Sequence, residues 1–153
     1  MTIQVTIEIT RDFDVSADFE ATFALLSDVP KSASHFPKVD KLIDMGNNTY
    51  RWEMERLGVD KHAIQTIYAA HYVSDKEAGK VTWNRVENVG NGLVDGNWVI
   101  TPAGARTHLR FCTQGVLTLP LPGFLKLAVS PVVKHEFNAL VDRYVSNLQR
   151  ALA

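Results

Sequence analysis

The C-terminal segment constrains this chain more than any other part, because it needs a partner surface. Leu125, Val129, Val133, Phe137, Leu140, Tyr144, Leu148 and Leu152 recur three or four residues apart, which puts them on one broad stripe of an α-helix. A stripe that wide has to be buried. Almost everything between Asn48 and Gly115 reads as strand, so the surface that receives the stripe is one face of an antiparallel sheet. A long helix laid on a curved sheet leaves room for a cavity, and such a cavity suits a bound apolar molecule.

The strands are legible from alternation and from the turns between them. Ile3, Val5, Ile7, Ile9, Phe13 and Val15 share one parity with polar residues between, the mark of a half-buried strand. Ser16 then offers an N-cap, and Phe19, Phe23 and Leu26 give helical spacing up to Asp28, where Val29-Pro30 interrupts. A second short helix is expected over Lys31 to His35, ending before Pro37. Lys41 to Met45 reads as a weak strand and Thr49 to Leu57 as a stronger one, with Tyr50, Trp52 and Met54 on one face. Gly58-Val59-Asp60 is the next turn. His62 to Ser74 is rich in β-branched and aromatic residues, but both its parities are half apolar and its inner face stays open. Lys80 to Val86, Leu93 to Thr101 and Arg106 to Leu119 complete the set. Six or seven antiparallel strands, two short N-terminal helices and a long C-terminal helix make an α+β plan. Pro131 would cost about 3 kcal/mol inside a helix, and Ser130-Pro131 is a good N-cap and first-turn pair. The main helix is therefore expected to begin at Pro131, with Leu117 to Val129 as a separate lid or entrance.

Composition narrows the partners. The formal net charge is −1, which gives no electrostatic reason to expect nucleic acid. One cysteine, Cys112, cannot form an internal disulfide, so a reducing compartment, by default the cytoplasm, is expected. The N-terminus lacks the basic stretch and apolar run of a secretion signal. No segment has the run of about eighteen apolar residues that crosses a bilayer; Gly115 to Val133 comes nearest and contains Lys126 and three prolines.

Several small features carry a resemblance when taken in order: Phe36-Pro37 after the helix pair, Trp83 in a central strand, Gly96 to Pro102 in the next, the alternating stretch Gly104 to Phe111, and Pro122-Gly123 before the last helix. Together they resemble the START-like superfamily, also called SRPBCC, and within it the polyketide cyclase/dehydrase and coenzyme Q-binding group. The resemblance spans nearly the whole chain and treats residues 1–153 as one domain. It implies a helix-grip fold, a curved sheet wrapped around the C-terminal helix with a hydrophobic cavity between. It also implies lipids, quinones, polyketides or other apolar small molecules as ligands. Carriers, cyclases and aromatases share this architecture, so activity stays open.

Parity nominates the cavity wall. Trp52, Met54, Trp83, Trp98, Leu109 and Phe111 are expected to line it from the sheet, and Leu125, Val129, Val133 and Phe137 from the helix; each also suits an ordinary core position. Three tryptophans make good walls, each a large apolar body with one N–H to satisfy. Arg85 shares parity with Trp83. It either reaches the cavity, where its guanidinium would hold an anionic head group by paired hydrogen bonds, or it stands at a solvated strand end or pairs with Glu87 or Asp95.

An enzyme of cyclase, aromatase or dehydrase type would need Arg85, Asp95, His71 or Glu53 inside the chamber. Otherwise the chain is a carrier, chaperone or sensor of an apolar molecule, or an interaction module whose cavity has collapsed. His35, His62, His71, His108 and His135 form no metal-binding spacing. Cys112 shares parity with His108 and Arg110 and points away from the cavity, and no cofactor fingerprint is present. Apolar side chains concentrate in the Leu117–Leu127 segment, which either closes the pocket or touches a membrane or a partner during ligand exchange.

Overall fold

In the computed structural model, residues 1–57 and 64–153 are described. The expected turn at Gly58-Val59-Asp60 and the start of the expected His62 strand lie outside them. Seven strands form one antiparallel sheet: β1 (Ile3–Val15), β2 (Val39–Gly46), β3 (Thr49–Met54), β4 (Ile67–Asp75), β5 (Lys80–Arg85), β6 (Gly92–Ala103) and β7 (Arg106–Leu119). Helices α1 (Phe19–Ser27) and α2 (Val29–Ala33) follow β1, and α3 (Lys126–Ala151) ends the chain after a 3₁₀ turn at Gly123–Leu125. The sheet order is β1-β7-β6-β5-β4-β3-β2. The chain thus lays one edge, crosses by the helix pair to the other edge, and returns strand by strand. This is the α+β helix-grip arrangement.

The turns follow from residue chemistry. Between β2 and β3 the two loop residues Asn47 and Asn48 both have positive φ, 54° and 56°, as a type I′ hairpin turn requires and asparagine tolerates. Between β6 and β7 the loop is Gly104-Ala105, with Gly104 at φ 68°. The pairing of β1 with β7 runs without a shift from Ile3↔Leu119 to Val15↔Thr107, so the whole apolar parity of β1 stays in phase with that of β7.

Three helix boundaries differ from expectation. Asp18, not Ser16, caps α1, its carboxylate accepting from the Ala21 N–H at 2.9 Å. Asp28 closes α1 and opens α2, accepting from the Lys31 N–H at 3.2 Å, so Pro30 sits in the first turn of α2, where its missing N–H costs nothing. The helix α3 starts at Lys126 and runs through Pro131. The carbonyl that Pro131 leaves unpaired belongs to Leu127, which is 90% exposed, so water can satisfy it and the usual penalty is reduced. Val129 and Val133, on the other side, pack on Ile3, Val5, Leu117 and Leu119 and hold the first turns in place. Ser130 therefore caps nothing; its Oγ is buried with no partner among the described residues.

Leu140, Val141, Tyr144 and Leu148 are the buried face of α3. Its end is fastened to the segment after β1, where the Ala17 N–H donates to the Leu152 carbonyl at 2.8 Å. Two polar clamps hold the middle. Arg11 on β1 donates to Asp142 at 2.8 Å and to Asn138 at 2.9 Å, and Lys38 pairs with Glu136 at 3.1 Å.

Candidate functional site

The inner face of the sheet is built from cross-strand aromatic pairs. Trp52 opposes Tyr68, Tyr72 opposes Trp83, and Trp98 opposes Phe111. Trp52 stacks on Tyr68 at 5.7 Å between ring centroids, Trp83 meets Phe111 at 5.7 Å, and Phe111 meets Trp98 at 4.8 Å. Across β5 and β6, Trp83 opposes Gly96, and the missing side chain makes room for the indole. A Cβ at Gly96 would lie 2.8 Å from Trp83 Cζ2 and 2.2 Å from the Cys112 carbonyl oxygen.

Between this aromatic face, α2 and α3 lies a cavity of about 120 Å³. Trp52, Met54, Trp83, Trp98, Phe111 and Phe137, all expected in the wall, line it. The tryptophans bound the space and do not fill it. Phe36, Tyr68, Tyr72, Tyr144 and Ser32 also line it and were not expected there. The Tyr68 and Tyr72 side chains fix the facing of β4: both turn inward, and His71 turns away to meet Thr49, Nδ1 to Oγ1 at 3.1 Å. An alternation of tyrosines four apart, opposite Trp52 and Trp83, is the signal that could have found them.

The other expected wall residues stand elsewhere. Leu109 is fully buried in the core below the cavity. Val129 and Val133 belong to the cluster at the β1–β7 end, and Leu125 sits half-buried at the foot of α3. The helix stripe does face inward, but the cavity meets it about two turns nearer the C-terminus, at Phe137, Val141 and Tyr144. Arg85 is not in the cavity wall. Pairing of β5 with β6 stops at Trp83↔Gly96, and beyond it the guanidinium swings out to Asp95, Nε to Oδ2 at 2.6 Å. A lone cation inside an apolar chamber would be costly, and Asp95 offers it a partner near water. Glu53 likewise pairs with Arg51 at 2.8 Å, on the parity opposite Trp52 and Met54. His108 lies between Asp14 and Asp12, whose hydrogen bonds raise its pKa. His62 falls outside the described residues. Among those residues no three His, Cys, Asp or Glu side chains gather as a metal site needs.

No Asp, Glu, His, Lys or Arg is among the described residues that line the cavity. Its polar groups are hydroxyls and amides, and they are partly spoken for. Tyr72 accepts a hydrogen bond from Trp52 Nε1 at 3.0 Å. The Tyr144 hydroxyl is hydrogen-bonded to Ser32 Oγ and to Trp98. Burial pushes the Tyr144 phenol up to about 12 against the pull of those two bonds. Burial, reinforced by repulsion between neighbouring phenols, raises Tyr68 and Tyr72 as well. The site is therefore neutral at ordinary pH, an apolar chamber with a few fixed dipoles.

The Leu117–Leu127 segment divides. Leu117 and Leu119 are buried as the last residues of β7, and Leu121 is half-buried, whereas Phe124 is 82% exposed and Leu127 90%. No helix among the described residues is long and apolar enough to cross a membrane.

Residues 6–153 match the family model described as polyketide cyclase/dehydrase and lipid transport. Solved structures similar to this chain include a START superfamily protein from Mycobacterium smegmatis, with 16% identity, a TM-score of 0.64, and coverage of 95% of this chain and 96% of that one. A second is the Zhui aromatase/cyclase from Streptomyces sp. R1128, with 16% identity, a TM-score of 0.61, and coverage of 96% and 91%. A third, a protein from Thermus thermophilus, gives 17% identity, a TM-score of 0.62, and coverage of 95% and 99%. At these identities the likeness is one of fold. No curated protein sequence matches.

Proposed function

This chain belongs to the polyketide cyclase/dehydrase and lipid transport family, and from that premise we propose that it binds an apolar small molecule in the cavity between the sheet and α3, as a carrier, chaperone or sensor. The observation that carries the reading is the composition of the wall: aromatic and aliphatic side chains around neutral hydroxyls, with no acid, base or cation among the described lining residues. Cyclase or dehydrase chemistry needs a group that can give or take a proton near neutrality, and His71, Asp95, Arg85 and Glu53 are all engaged outside the chamber. Exposed Phe124 and Leu127, with Lys126 between them, are the part of the Leu117–Leu127 segment that would touch a membrane or protein during exchange. A single free cysteine, Cys112, accords with work in a reducing compartment such as the cytoplasm, as one domain over residues 1–153.

Native mass spectrometry of protein purified from its own host, followed by solvent extraction, tests the reading. One apolar molecule per chain, released on denaturation, is the expected result. A bare chain that also fails to take up a fluorescent apolar probe would overturn it.

A further inference from the structure

The cavity's hydrogen bonds are biased toward donation. The oxygen of Tyr72 already accepts from Trp52 Nε1, which leaves its own proton to be given. Tyr68 has no hydrogen-bond partner among the described residues, yet its side chain lines the cavity and stacks on Trp52. Thr113 donates to the Asp95 carbonyl at 3.4 Å, and Ser32 and Tyr144 satisfy each other. What remains on offer in the chamber is phenolic O–H from β4, next to flat aromatic walls, together with the Thr66 hydroxyl just before that strand.

Size adds a second limit. An apolar cavity of about 150 Å³ takes a benzene ring, whereas pockets for drug-sized ligands run to about 300–1,000 Å³. The space here is about 120 Å³, so a multi-ring polyketide or a long acyl chain does not fit without movement of the walls.

We infer that the cavity selects a neutral molecule of about one-ring size that carries a hydrogen-bond acceptor such as a carbonyl oxygen, held by the hydroxyls of Tyr68 and Tyr72. This rests on the binding reading above and makes it specific. A carboxylate of the same shape is rejected, because no cation waits inside to pair with it and Arg85 is committed to Asp95 outside.

Three matched probes separate the possibilities by NMR titration of the full chain: acetophenone, which has one ring and one acceptor; ethylbenzene, which lacks the acceptor; and benzoate, its charged counterpart. Acetophenone should bind more tightly than ethylbenzene, and benzoate should show no binding in the cavity. Replacing Tyr68→Phe or Tyr72→Phe should weaken acetophenone about three- to tenfold, the worth of one neutral hydrogen bond, and leave ethylbenzene unchanged. Ethylbenzene binding as well as acetophenone, or equal losses for both probes in the Phe variants, overturns the acceptor preference while leaving apolar binding intact. Benzoate in the cavity overturns the exclusion of charge. Failure of both neutral probes to bind the wild-type chain overturns the binding reading itself.

Discussion

Phe137 is where the helix, the sheet and the cavity meet. It packs against all three apolar clusters, the central core, the β1–β7 end around Leu117 and Leu119, and the group around Trp52 and Met54, and it also lines the cavity. Truncating a fully buried phenylalanine to alanine costs about 3–5 kcal/mol; Phe137 is half-buried, which brings the expectation for Phe137→Ala down to about 2–3 kcal/mol. In a chain of this length each kcal/mol moves the midpoint by about 2–4 °C, so Tm should fall by about 4–12 °C. Because the lost ring borders an existing void, the cavity should grow and accept a larger guest. Differential scanning calorimetry, paired with titration of a two-ring probe such as naphthalene, reads both effects. A lower Tm with stronger naphthalene binding is expected. A Tm within one or two degrees of wild type, or a destabilised protein that takes no larger guest, would refute the placement of Phe137 between α3 and the cavity.

Three further outcomes follow from particular contacts. Gly96→Ala puts a methyl into the space held by Trp83 and the Cys112 carbonyl, and should cost about 1–3 kcal/mol in urea unfolding with a change in Trp83 fluorescence; a neutral result would mean that β5 and β6 are further apart than described. Asp95→Asn breaks an ion pair whose side chains are 38% and 23% exposed, so stability should change by less than about 1 kcal/mol and uptake of neutral probes not at all; lost uptake would place Arg85 in the site. Tyr144 has its pKa raised to about 12 in the fold, so its contribution is complete below the unfolded value of about 10 and is lost as pH rises toward 12, about 3 kcal/mol in all. Urea midpoints should fall between pH 10 and 12, and Tyr144→Phe should lessen that fall, with raised Tyr68 and Tyr72 carrying the rest.

Much of this architecture was legible because β1, β7 and α3 carry clean periodicities. The β7 bounds agree with those read from alternation, and the inward parity of Trp52, Trp83, Trp98 and Phe111 followed from simple counting. The facing of β4 did not. Ile67 and Val73 lie on one parity, Tyr68 and Tyr72 on the other, and Ala69 and Ala70 are both fully buried, so apolar content does not distinguish the faces. Arg85 shows a related limit: it still pairs with Ala70 on β4, but the β5–β6 ladder ends at Trp83, and past that end its long side chain turns out to Asp95. Along α3 the stripe identified which side faces inward. Where the cavity met that side depended on the sheet's curvature, which no local spacing encodes. Pro131 misled for an energetic reason, because its cost depends on the surroundings of the freed carbonyl, and here that carbonyl belongs to the exposed residue Leu127.

The central claim, an apolar guest held among the inner aromatics, is tested most directly by intermolecular NOEs between bound acetophenone and the protein. The account predicts contacts from the phenyl protons to the rings of Trp52, Trp83 and Phe137. Contacts confined to exposed Phe124 and Leu127, with none to the inner tryptophans, would contradict it.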